Sequence, residues 1–101
     1  MQIEVTGTNE LTIRGNIKSI EDSTRIKEAL AALKKGEAGI RLRVPESFSM
    51  TSTVIGFLMK LVNLDRVRIA LAVGDPRLYQ LMEELSLVET FNVSLVKAQP
   101  K

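Results

Sequence analysis

The sequence predicts a single α/β domain. It is built on a mixed sheet, an N-terminal β-hairpin followed by parallel β-α-β-α-β units, with helices mainly on one face. Three observations predict it. Apolar residues alternate at period two in five short stretches, recur at helical spacing in three others, and the two kinds interleave after the first pair. A strand–helix–strand succession requires parallel pairing and right-handed crossovers. The strands also alternate apolar and polar, whereas strands covered by helices on both faces run continuously apolar.

The elements follow in order. Ile3 and Val5 share one side of residues 2–6, and Leu11 and Ile13 repeat the pattern. "TGTNE" between them supplies Gly and Asn for a tight turn, so a hairpin is expected. Gly15 marks a bend or bulge. "EDSTRIKEALAALKKG" places Ile26, Ala29, Leu30 and Leu33 on one helical stripe. Asp22 or Ser23 is the expected N-cap, with Lys34 and Lys35 at the negative end and Gly36 as the closing cap. "GIRLRV" and "VRIALAV" are strands, with Pro45 stopping the first. Between them, "SMTSTVIGFLMKL" reads as a helix over residues 52–64. Its apolar residues cover an arc of roughly 220° at 100° per residue, wider than one sheet face needs. Neighbouring helices cover the excess, or Phe57 or Met59 belongs to an exposed patch. "GDPRLYQLMEEL" starts with Asp75 as N-cap and Pro76 at the first helical position, and Leu78, Leu81, Met82 and Leu85 form its apolar stripe. "FNVSLV" is a last strand. Residues 1–97 form the domain, and 98–101 are expected to be a flexible tail.

Composition narrows the function classes. The 101 residues are 45% hydrophobic and 26% charged, as in soluble globular proteins. Neither Cys nor His occurs, which removes disulfides, thiolate metal sites and every His-based catalytic site. The acids Glu46, Asp65, Asp75, Glu83, Glu84 and Glu89 are scattered, and no Gly-rich phosphate loop is present. The expectation is therefore no enzyme, no cofactor and no metal. The net charge of +2 and 4% aromatic content argue against nucleic acid. The polar, alternating N-terminus does not read as a signal peptide, and no apolar run has spanning length, so a cytoplasmic location without membrane insertion is expected. The open sheet face is expected to carry Thr12, Arg14, Arg41, Arg43, Arg68, Ala70 and Ala72. It is either a solvated polar surface or a cluster of four arginines that recruits an acidic partner.

Three stretches resemble the STAS domain of anti-sigma-factor antagonists, over residues 11–91. "LTIRGNI" is similar to the family's second strand. "VRIALAVGDPRLYQLMEELSLVETF" is similar to its late strand, turn and helix. "FSMTSTVIGFLMKL" stands where the family has an apolar residue, Asp-Ser-Ser/Thr-Gly, another apolar residue and Gly before an amphipathic helix. Met50 takes the apolar position, Ser52 the phosphorylatable serine and Thr53 the second hydroxyl; Ile55 and Gly56 match. Thr51 replaces the aspartate, Val54 the first glycine, and Ser86 a later glycine.

The resemblance implies a small non-enzymatic regulatory domain. It would dock a kinase-type anti-sigma factor or related signalling partner through Thr51, Ser52, Thr53, Val54 and Phe57. Phosphorylation of Ser52 would switch that docking. Its alternative implication is an unphosphorylated accessory subunit or adaptor of a transporter or stress-signalling assembly. A homodimer is left open.

Overall fold

The computed structural model describes residues 1–33 and 39–96. The chain runs β1 (Gln2–Gly7), β2 (Glu10–Arg14), α1 (Ile20–Ala32), β3 (Ile40–Val44), α2 (Ser52–Asn63), β4 (Ile69–Val73), α3 (Pro76–Glu84) and β5 (Val93–Leu95). The five strands lie side by side in chain order. β1 and β2 are antiparallel, and β2 to β5 are mutually parallel. The α/β mixed-sheet architecture is the one expected. Because the parallel strands advance in one direction, right-handed crossovers put all three helices on the same face.

Register fixes what each face carries. Leu11, Leu42, Leu71 and Val93 are successive partners across the parallel strands, and all four are buried beneath the helices. Leu58 and Leu61 of α2, Ile26 and Leu30 of α1, and Leu78 and Met82 of α3 close this core from above. On the opposite face Glu4, Thr12, Arg43, Ala72 and Ser94 form the equivalent row. Arg41, Arg43 and Ala70 are exposed there, whereas Thr12 is buried and shares a 3.0 Å hydrogen bond with Thr6. β4 begins at Ile69, two residues later than its apolar alternation suggests.

Several local expectations are corrected. The N-cap of α1 is neither Asp22 nor Ser23 but Ser19, one turn earlier. Ser19 Oγ accepts from the Asp22 N–H at 3.1 Å, and the Asp22 carboxylate accepts from the Ser19 N–H, a reciprocal capping box. Helix α1 ends at Ala32 with an extended Leu33, and the expected Lys34, Lys35 and Gly36 terminus lies outside the described residues, as does the 98–101 tail. Leu85 does not join the α3 stripe. It is the C-cap, past the last helical turn, and is 47% exposed. Asp75 and Pro76 start α3 as expected.

Candidate functional site

Strands β2, β3 and β4 point the same way, so the loops leading into α1, α2 and α3 gather at one end of the sheet. This is where parallel α/β sheets place their binding residues. The loop between β3 and α2 is held from both sides. Gly15, at φ 86°, donates its N–H to Glu46 Oε1 at 2.7 Å. Ile17 N–H donates to the buried Ser47 hydroxyl at 3.1 Å, which donates in turn to the Ser49 carbonyl at 2.6 Å. On the other flank Gly74 lies so close to Pro45 that a Cβ there would stand 2.2 Å from the Pro45 carbonyl oxygen. The guanidinium of Arg77, chelated by Asp75 at 2.7 and 3.0 Å, lies 4.8 Å from the centre of the Phe48 ring.

The three hydroxyls of this turn have different roles. Thr51 is the N-cap of α2, its Oγ1 accepting from Val54 N–H at 3.3 Å. The same oxygen shares a 2.6 Å hydrogen bond with the buried Ser23 hydroxyl, tying the start of α2 to the first turn of α1. Ser52, the first residue of α2, and Thr53 are both exposed. Val54 is wholly buried, so it belongs to the core and leaves the set of contact residues. Phe57 is half-buried on the flank facing α1, with the Lys27 ammonium 5.8 Å from its ring centre. The wide apolar arc of α2 is thus mostly covered, but Met59 remains 37% exposed and Leu64, its C-cap, 70%.

Electrostatics separate α2 from its neighbours. The first turn of α1 carries Glu21 and Asp22, and α3 has the Asp75 carboxylate at its cap. The first turn of α2 has no acidic residue, so the partial positive charge of its free N–H groups is unopposed. Asp75 is held below its ordinary pKa by the Arg77 side chain and then by the Arg77 N–H. Asp22 is lowered chiefly by the Lys18 N–H. Both carboxylates are therefore engaged as caps. Among the described residues no side chain is hydrogen-bonded to the Ser52 hydroxyl in the manner of an activating base, and no three potential metal ligands come together.

Phe48 is an exposed aromatic residue at this end that sequence patterning missed. It is 44% exposed in the loop that leads into α2, its ring against Arg77 of α3, and an aromatic residue in the "PESFS" loop was the available signal. Ile20, 81% exposed at the first position of α1, adds a second apolar side chain near this end.

The four arginines of the open face differ in their pairing. Arg14 pairs with Glu4 at 3.3 Å and Arg43 with Glu10 at 3.6 Å. Arg41 has no ion-pair partner among the described residues, and Arg68 stands just ahead of β4. Arg41 and Arg43 line a shallow trough of about 440 Å³ with Glu10, Ala70, Ala72 and Ser94.

No family model, curated protein or solved structure matches the chain. Among the described residues no helix is long and apolar enough to cross a membrane.

Proposed function

We infer that the chain is a STAS-like, non-enzymatic regulatory domain of the cytoplasm. It docks a kinase-type anti-sigma factor or related signalling protein through the turn that opens α2. Phosphorylation of Ser52 releases the partner. The observation that carries this reading is the contrast within the hydroxyl cluster: Thr51 is consumed as cap and tie, while Ser52 is exposed on a helix start that lacks a carboxylate. A phosphate on Ser52 would bring about −1.5 to −2 charges to free N–H groups that favour an anion. The modified chain would keep its fold, and the added charge would act on whatever packs against Ser52, Thr53 and the exposed edge of Phe48. Thr51 serves the capping role that an aspartate would serve, so its substitution for the family's aspartate leaves the start of α2 intact.

Affinity capture from a lysate of the source organism tests the reading, using the parent, Ser52→Ala and Ser52→Asp proteins. The parent and Ser52→Ala should retain the same partner, and Ser52→Asp should retain at least about tenfold less, a difference of about 1.4 kcal/mol. Mass spectrometry of the peptide spanning Thr51, Ser52 and Thr53 should find the phosphate on Ser52. Equal capture by all three proteins would remove the switch.

A further inference from the structure

We propose that the protein associates with itself head to tail, the acidic end of α3 of one copy seating in the arginine-lined trough of the next. The trough lies on the sheet face that no helix covers. Its floor is Ala70, Ala72 and Ser94, short side chains that leave the sheet open to close approach, and its wall is Arg41 and Arg43. Glu10 offsets one of these charges through Arg43, so Arg41 is the surplus cation.

The complementary surface is on the same chain. Glu83, Glu84 and Glu89 are exposed around the end of α3, and none has an ion-pair partner among the described residues. Glu83 and Glu89 line one hollow of about 400 Å³ with Ser86 and Val88. Leu85, next in the chain to Glu84, is 47% exposed at the C-cap of α3. An exposed leucine flanked by carboxylates on one surface thus matches a small-residue floor flanked by guanidiniums on the other. The net charge of +2 adds only minor repulsion between whole copies, so the local patches decide the encounter.

The two surfaces differ, so the contact is heterologous and adds copies head to tail, into a ring or an open chain. It uses none of Ser52, Thr53 and Phe48, and therefore stands or falls apart from the proposed docking turn. An assembly would present that turn many times to one partner array. An acidic segment of another protein or a single-stranded nucleic acid could occupy the same trough. None of the chain's four aromatic residues lies on this face to stack a base, which counts against nucleic acid.

Sedimentation equilibrium of the full chain tests the proposal. At an ionic strength of about 0.01 M the average mass should rise with concentration past twice the 11.2 kDa monomer, and it should return to the monomer at about 1 M. Arg41→Glu blocks the trough and Glu84→Gln neutralises the acidic end without adding a cation that could pair with the first variant; both positions are exposed, and circular dichroism verifies the fold. Each variant alone should be monomeric. Their mixture should form a one-to-one dimer and nothing larger, since each supplies the surface the other lacks. A parent that stays monomeric, a mass that stops at the dimer, or a mixture that stays monomeric would each overturn the proposal. So would a parent that remains monomeric yet binds a single-stranded RNA oligonucleotide or an acidic protein segment through Arg41.

Discussion

Ser86 occupies a backbone conformation that suits glycine. It sits at φ 58°, just past the C-cap of α3. Its N–H donates to the Glu83 carbonyl at 3.0 Å, and the Leu87 N–H donates to the Met82 carbonyl at 2.8 Å, the paired bonds of a Schellman ending. Buried Leu87 and Met82 supply the apolar contact that accompanies it. A left-handed L-residue costs about 1–2 kcal/mol, part of which glycine's larger chain entropy offsets. Ser86→Gly should therefore stabilise the protein by about 1 kcal/mol, raising Tm by about 4–8 °C in calorimetry. An unchanged Tm would mean the surrounding turn relieves the strain. Ser52 was legible in the sequence as a helix-start hydroxyl, but Thr51's second bond, to Ser23, was not. The two residues are 28 positions apart and meet only because α1 and α2 pack side by side.

Helix termini couple the elements to pH. Asp22 and Asp75 both titrate below their ordinary value of 3.8 in the folded protein. A depressed carboxylate stabilises the fold above the unfolded-state pKa, and that contribution is lost as pH falls through the folded value. Stability should fall between about pH 5 and 2, and the double variant Asp22→Asn/Asp75→Asn should show a shallower fall. Urea titrations across that range measure it, and parallel curves for parent and variant would place the acid sensitivity elsewhere. Asp75 was recognisable because Pro76 and an apolar stripe follow it directly. Ser19 was missed because the apolar stripe of α1 begins only at Ile26 among buried apolar residues, and its first turn carries no packing signal. Sequence patterning locates a helix by the face it buries, and an exposed first turn falls outside that pattern.

At the scale of the whole molecule, one side chain joins the late elements to the sheet. Phe91 is fully buried, its N–H bonded to the Leu87 carbonyl and its carbonyl accepting from Leu71 N–H at 3.1 Å. Phe91→Ala should cost about 3–5 kcal/mol, a large share of a stability of about 5–15 kcal/mol. A loss under 1 kcal/mol in denaturant titration would show that the core closes over the gap. The sequence by itself determined the order of elements, the mixed sheet and the alternation that leaves one face open, because periodicity and connection length constrain these locally. It also marked the turn at Thr51, Ser52 and Thr53. Only the tertiary structure decided which hydroxyl is free, that Val54 is core, and that Phe48 stands exposed beside Arg77. It alone distinguished Arg41 from the paired Arg14 and Arg43, and exposed Leu85 among carboxylates. Each of these depends on contacts between residues distant in sequence, and their geometry exists only once strands and helices have packed.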